Sequence, residues 1–344
     1  MKPIPILVFG LISLLSVAPL LAAEPAIEKK PATDPLANIA KIYSENREKL
    51  RAFTCRFKVT EGLAASAADG LAGKFVPTSI QDGLWIVSGG DVRYELHCLK
   101  GGVTHEDLKG KGPDEILPNG LGISTIDCAS QFELYSQKNC IRAVIGPLLN
   151  VANLYEKAKT EVVMTPISMG MLGRGENYSP LFFIQGQQAG TSYCKYLGKA
   201  QLDGVEVDVM ESGRLKTKEA EQYIVWHFDL VRGGVPLKRS VFNKDGSLRY
   251  ETVATSIKQL ENGAFMCERS VFLSKWEKGW KSEIIELTNM DLKPPARELL
   301  VIELPEGCKV ICMKDLQSVR VGKGEKMHVD DLQDWVKRCE KRVK

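Results

Sequence analysis

The sequence predicts a β-dominated α+β fold, in which one strongly curved antiparallel sheet, an unclosed half-barrel, is covered by a few helices. In the second half, alternating apolar and polar segments are separated by tight-turn dipeptides such as Asp203-Gly204, Asp245-Gly246 and Asn262-Gly263. Asp-Gly and Asn-Gly supply the positive φ that two-residue hairpins need. Their regular spacing indicates an antiparallel meander rather than βαβ units.

The first 23 residues have the pattern of a secretory signal. Lys2 is followed by an apolar run from Ile4 to Leu21 and then by small residues at Ala22-Ala23. This order is typical of a cleaved signal, which predicts a periplasmic or secreted protein. An uncleaved N-terminal membrane anchor is the alternative, although Pro and Gly within the run weaken it as a spanning helix.

The domain itself is predicted to begin with a helix and a long strand. Residues 24–33 are polar and read as a tether, after which Asp34-Pro35 provides a cap and a favourable first helical position. Leu36, Ile39, Tyr43 and Leu50 then form one apolar stripe. From 52 to 61 the period changes to two, which predicts a half-buried strand.

The middle of the chain mixes regular segments with two predicted insertions. Residues 82–88 and 92–99 form a strand pair, and the Gly- and Pro-rich residues 100–130 form a long loop. Gly146-Pro147 is expected to open a second helix that runs to Tyr155. The irregular residues 160–190 form the second insertion.

Seven further strands complete the predicted domain, which spans residues 34–312. They lie near 191–201, 205–212, 221–230, 236–243, 247–260, 264–276 and 280–290. One face of such a sheet must be covered by helices or by a ligand. Residues 313–344 are expected to form a C-terminal tail with an amphipathic helix, since Leu332, Trp335, Val336 and Cys339 fall on one helical face.

The chain lacks the sequence signatures of common active sites and of zinc sites. It contains no phosphate-binding loop, no H-E-x-x-H and no G-x-S-x-G. Cys308 and Cys312 have no second ligand pair that would complete a zinc site. We therefore predict no catalytic residue, no metal ligand and no cofactor, although a Cys–His nucleophile assembled from distant residues stays open. Cys55, Cys98 and Cys267 fit apolar alternation and are expected to be buried.

The charge balance bears on possible partners. Loss of Lys2 with the signal lowers the formal net charge from +3 to +2, which does not favour a nucleic-acid partner. Residues 337–344 are locally basic. The basic charges either complement a helix C-terminus or make a peripheral contact with an anionic membrane.

Aromatic residues on the predicted strands are the candidate ligand-binding residues. Some of them must lie on the concave face of a curved sheet, where an apolar cleft would hold a ligand. The alternative is that they pack beneath the helices as core. The candidates are Phe57, Trp85, Tyr94, Trp226, Phe228 and Tyr250.

The segment from Gln222 to Arg239 resembles the periplasmic lipoprotein-carrier superfamily of LolA, LppX and RseB-like proteins. It combines Trp226, Asp229, a Gly turn at 233–234, Pro236 and an Arg-bearing strand. The first helix leading into a long strand resembles that family as well. The resemblance implies a curved, helix-covered sheet that binds lipoprotein acyl chains or senses envelope stress. The insertions, the nine cysteines and the C-terminal helix depart from the family pattern.

Together these patterns predict an exported, non-enzymatic protein that holds a hydrophobic ligand (an acyl chain, a lipid or a lipoprotein) on the concave face of the sheet. Two alternatives remain from the sequence. One is a secreted hydrolase with a dispersed active site, and the other is a structural or interaction protein with a filled core.

Overall fold

The structure, a computed structural model, describes most of the predicted domain. The described residues are 34–89, 91–100, 130–135, 139–145, 150–156, 179–215, 222–276, 279–304, 306–312, 318–320, 322–324 and 326–328. The predicted signal, the tether, nearly all of the 100–130 insertion and the C-terminal helix lie outside these residues and stay predictions. In the described part, no helix has the length and apolar character needed to cross a membrane.

Strands dominate the described elements. The helices are α1 (Pro35–Glu48), α2 (Ala67–Leu71) and α3 (Pro180–Gln188), with a 3-10 turn at Arg297–Leu300. The strands are β1 (Ala52–Ala64), β2 (Val76–Ser88), β3 (Asp91–Lys100), β4 (Ser130–Tyr135), β5 (Asn139–Ile145), β6 (Asn150–Glu156), β7 (Ser192–Leu202), β8 (Val205–Arg214), β9 (Gln222–Asp229), β10 (Val235–Asn243), β11 (Leu248–Gln259), β12 (Phe265–Trp276), β13 (Gly279–Asp291), β14 (Val301–Glu303), β15 (Lys309–Cys312), β16 (Ser318–Arg320) and β17 (Lys326–His328).

The predicted fold class is confirmed. One sheet has the order β16-β15-β6-β5-β4-β3-β2-β1-β13-β12-β11-β10-β9-β8-β7 and is not closed, while β14 and β17 pair separately. Its neighbours pair antiparallel except β15 and β6, which are parallel. Strands β7 to β13 form the predicted meander, and β13 then pairs with β1. This last pairing joins the two halves of the chain into one sheet.

Two segments in the middle of the chain differ from the prediction. The expected helix from 146 to 155 is wrong, because Asn150–Glu156 is strand β6, paired with β5 and β15. A short apolar run has no decisive period, so the two neighbouring strands decide its conformation. Within the insertion at 160–190, Pro180–Gln188 is helical. Ser179 caps this helix by accepting a hydrogen bond from the N–H of Phe182 at 3.4 Å.

The strand register defines two faces of the sheet. We call the face that carries Trp226 and contacts α1 and α3 the inner face, and the opposite side the outer face. Ile39 of α1 and Phe183 of α3 pack with Trp226 on the inner face. The short helix α2 lies on the outer face, where Ser282 on β13 donates a hydrogen bond to the Gly70 carbonyl at 2.9 Å.

Helix α1 is fastened to the sheet by one buried amide. The Asn46 Nδ2 donates to the Phe265 carbonyl at 2.9 Å, and the Phe265 N–H donates to the Asn46 Oδ1 at 2.8 Å. The side chain therefore pairs with both backbone groups of a residue at the start of β12, as a neighbouring strand would. The positive φ of 68° at Gly233 belongs to a turn packed so closely that a Cβ there would lie 2.7 Å from the Asn46 Cγ.

The β11–β12 turn holds the C-terminal end of the same helix. Asn262 Nδ2 donates to the Lys49 carbonyl at 2.7 Å. The Lys49 ammonium donates in turn to the Gly263 carbonyl at 3.3 Å. Helix α1 is thus held between the β9–β10 turn and the β11–β12 turn.

We expect Asn46→Ala to lower the free energy of unfolding by about 2–4 kcal/mol. The substitution removes both hydrogen bonds that the buried Asn46 side chain makes to the backbone of half-buried Phe265, and each lost partner costs about 1–3 kcal/mol. Urea denaturation of the purified protein measures the change. Glu45→Ala, at an exposed position on the same helix, is the matched control and should change stability by less than about 0.5 kcal/mol. Equal effects of the two substitutions would contradict the fastening role of Asn46.

Candidate functional site

The inner face carries the five predicted aromatic residues whose side chains are described, and two of them belong to one apolar cluster. Phe57 and Trp85 are 2% and 1% exposed. They pack with Phe53, whose ring centroid lies 5.1 Å from that of Trp85 in an edge-to-face arrangement. Phe57 lies opposite Gly83 on β2, where a Cβ would come within 2.1 Å of the Phe57 ring. We call this group, Phe53, Phe57 and Trp85 on β1 and β2, the first aromatic cluster.

Two more of the predicted residues form the second aromatic cluster, on β9. Trp226 and Phe228 are fully buried and stack with ring centroids 6.0 Å apart. The indole Nε1 of Trp226 donates to Ser212 Oγ at 3.0 Å. Ile39 of α1 and Phe183 of α3 belong to the same buried cluster as both rings. The helices therefore bury this cluster as core, the alternative that the sequence left open.

The last two predicted residues differ from these four. Tyr250 on β11 is only half-buried, and its ring centroid lies 5.7 Å from that of half-buried Phe272. The side chain of Tyr94 lies outside the described residues, although its backbone pairs with Trp85. Of the five predicted residues with described side chains, Tyr250 thus keeps the most accessible surface.

A row of mostly polar residues crosses the inner face from β10 to β1. Successive register partners across the strands from β10 to β1 are Arg239, Thr252, Phe272, Glu283 and Glu61. We call this row the polar band, and all its members except Phe272 are buried. Buried charge is costly unless it is paired. The inner face therefore carries charged groups beside its apolar clusters.

The charges of the polar band have defined partners. The Arg239 guanidinium lies over the rings of Trp226 and Tyr250, 5.3 and 5.6 Å from their centroids. Such placement over an aromatic face stabilises a cation. The Lys281 ammonium lies 3.3 Å from the Glu61 carboxylate. The band thus carries both signs of charge.

Sequence reasoning missed the two carboxylates of the band. Glu61 follows Phe57 and Val59 at the same spacing of two, so it occupies a buried-face position of β1. Glu283 lies directly opposite it on β13. A carboxylate that continues an apolar alternation was the available signal.

The described cysteines are poor candidates for a nucleophile. Cys55, Cys194, Cys267 and Cys308 are free and buried. Burial raises the pKa of the first three thiols to about 12, and that of Cys308 to about 11. The thiolate is the reactive form, so these thiols are unreactive near neutral pH. Burial is confirmed for Cys55 and Cys267, while the side chain of Cys98 lies outside the described residues.

A second polar cluster lies on the outer face. Glu251 Oε2 accepts hydrogen bonds from Ser240 Oγ and from the Lys238 ammonium, both at 2.8 Å. His227 is the register partner of Lys238 and is half-buried. Burial, and next the Lys238 charge, hold the pKa of His227 below its usual value of 6.5. Among the described residues, no group of three or more His, Cys, Asp or Glu is arranged to hold a metal ion.

Comparison with known proteins yields structural likeness only. No family model and no curated protein matches the sequence. A structure of an outer membrane lipoprotein-sorting protein domain from Vibrio parahaemolyticus is similar at 10% identity and a TM-score of 0.45, over 77% of this chain and 96% of that chain.

Two further structures are similar to the same degree. A DUF1329 family protein from Desulfovibrio piger matches at 9% identity and a TM-score of 0.46, over 83% of this chain and 100% of that chain. A LolA superfamily protein from Nitrosomonas europaea matches at 11% identity and a TM-score of 0.41, over 76% and 96%. At these identities and TM-scores, the similarity assigns no function to this chain.

We expect acidification below about pH 6.5 to destabilise the protein in part through His227. The folded state holds the pKa of His227 below the value of about 6.5 in the unfolded chain, so the unfolded state binds the proton first. The contribution of neutral His227 to the free energy of unfolding is therefore present above pH 6.5 and is lost as the pH falls through the pKa of the folded state. Urea denaturation of wild type and His227→Gln between pH 7.5 and 5 measures it, and the two curves should converge on acidification. Parallel curves would contradict the assignment.

Proposed function

We propose that this protein binds a hydrophobic ligand without catalysing a reaction, and that the ligand contacts the inner face beside the polar band. The half-buried pair Tyr250 and Phe272 carries the proposal. These rings combine apolar surface with partial access, while the neighbouring rings of the second aromatic cluster are closed off. An acyl chain, a lipid or the acyl chains of a lipoprotein have the matching chemistry.

The energetics favour a chain-like ligand at this place. Each buried CH₂ group contributes about 0.8 kcal/mol, so a few methylenes against Tyr250 and Phe272 give measurable affinity. A polar end of the ligand would then lie near the polar band, where Arg239 and Lys281 are cationic. Deeper entry towards Trp226 requires α1 and α3 to separate from the sheet, because both helices pack over that ring.

Burial also decides which substitution tests the proposal. Trp226 is fully buried, and a core Trp→Ala substitution costs about 3–5 kcal/mol. Loss of binding in such a variant would report unfolding. Tyr250 is half-buried and offers a cleaner change, and Tyr223 is its matched control. Tyr223 is a half-buried tyrosine on the outer face, stacked on Phe242 with ring centroids 5.1 Å apart.

We expect Tyr250→Ala to weaken binding of a dansyl-labelled fatty acid about tenfold, since an aromatic contact of about 1.4 kcal/mol is lost. Tyr223→Ala should leave the dissociation constant within about twofold of the wild-type value. Probe fluorescence measures binding, and circular dichroism confirms that both variants are folded. Equal weakening in both variants, or none in either, would refute a ligand site on the inner face.

We also propose that the protein acts outside the cytoplasm, as its N-terminal pattern indicates. Expression of the full chain in a Gram-negative host should place it in the periplasmic fraction. The intact mass should correspond to a chain beginning at Ala23 or Glu24, as expected for signal cleavage. A membrane-bound product that retains Met1 would favour the anchor alternative.

A further inference from the structure

An open pocket lies on the outer face, away from the proposed inner-face site. Its volume is about 330 Å³, within the range of about 300–1,000 Å³ that small-molecule sites occupy. Leu202 and Val205 line it from the β7–β8 hairpin, while Leu237, Val253 and Ile257 line it from β10 and β11. Arg232, in the β9–β10 turn, completes the lining.

The apolar floor of the pocket rests on a buried cluster. Leu237, which lines the pocket, is buried with Val207 and Val209, and the half-buried lining residues Leu202 and Val205 pack against this cluster. These two side chains keep apolar surface in contact with water. A ligand that covers them gains about 25 cal/mol for each Å² of apolar area removed from water.

Arg232 gives the pocket a cation of fixed orientation. Asp229, 1% exposed, accepts a hydrogen bond from the Arg232 backbone N–H at 2.9 Å and another from its Nε at 2.5 Å. The buried carboxylate therefore holds the guanidinium by its Nε, while the Arg232 side chain keeps 35% of its surface exposed. The two Nη groups of an arginine form a second fork that matches a carboxylate.

We infer that this pocket binds a short acyl carboxylate, with the alkyl chain on the apolar floor and the carboxylate on the Nη groups of Arg232. The chemistry at the two ends supports this orientation. Asp203, at the β7–β8 turn, also lines the pocket, and its charge repels a carboxylate placed at that end. The tail therefore lies towards Leu202 and Val205, and the head lies at the β9–β10 turn.

Calorimetric titration of the full mature chain with octanoate, octan-1-ol and octylamine tests the inference. Octanoate should bind at least about fivefold more tightly than octan-1-ol, and octylamine should bind more weakly than either. Arg232→Gln should raise the dissociation constant of octanoate about tenfold, as expected for loss of a charge-assisted pair, and leave that of octan-1-ol unchanged. The unchanged octan-1-ol value also shows that the β9–β10 turn remains folded.

Two further variants test the apolar floor and the specificity of the charge at Arg232. Val205→Asn should weaken the binding of octanoate and octan-1-ol equally, because the alkyl chains of both contact the apolar floor. Arg51→Gln is the control for a general charge effect, since Arg51 forms a similar i,i+3 ion pair with Glu48 at 2.9 Å near the end of α1. Arg51→Gln should leave the dissociation constants of both ligands unchanged. If the Arg232→Gln variant is unfolded, the wild-type preference for octanoate and the effect of Val205→Asn test the inference in its place.

Several outcomes would overturn the inference. These are equal affinity for octanoate and octan-1-ol, an Arg232-dependent octanoate affinity that Val205→Asn leaves unchanged, or octanoate binding abolished by Tyr250→Ala. The last result would place octanoate on the inner face. The inference is independent of the proposed function, because Tyr250→Ala and Val205→Asn change residues on opposite faces of the sheet.

Discussion

The fastening of α1 by Asn46 is the constraint on which the inner face depends. A sheet of this width must cover one apolar face, and α1 supplies part of the cover with Ile39 and Tyr43. The amide of Asn46 replaces a missing strand neighbour at Phe265, so the helix cannot slide without leaving backbone groups unpaired. The position of the helix in turn determines which aromatic residues are closed to solvent and which, like Tyr250, remain partly open.

The segment from Gln222 to Arg239 contributes residues to both faces of the sheet. Asp229 and the glycines at 233–234 shape a turn that admits α1, and the same Asp229 orients Arg232 towards the outer-face pocket. Arg239 extends the segment into the polar band, where its guanidinium lies over the Trp226 ring. Residues that the sequence presents as a loose family-like pattern are therefore the local parts of two distinct surfaces.

The sequence predicted the local elements well and the long-range placement poorly. The meander from β7 to β13 was predictable because turn dipeptides such as Asn262-Gly263 separate strands with a clear period. The β6 segment was not, since its conformation depends on pairing with β15, more than 150 residues away. The six candidate aromatics lie on strands as predicted, and Trp226 and Phe57 are buried in apolar clusters. Asn46 was missed because its role arises only when α1 meets β12.

The polar band places buried charge on the same face as the apolar clusters. Glu61 and Glu283 face each other in the polar band, and like charges at such a position are destabilising unless a cation such as Lys281 offsets them. A fold selected only for stability would replace these residues by apolar ones of similar volume, often at a gain of about 1–4 kcal/mol. Their presence beside the aromatic clusters favours a surface that distinguishes the ends of an amphiphile. The outer-face pocket shows the same combination of charge and apolar surface, because the oriented cation Arg232 borders its apolar floor.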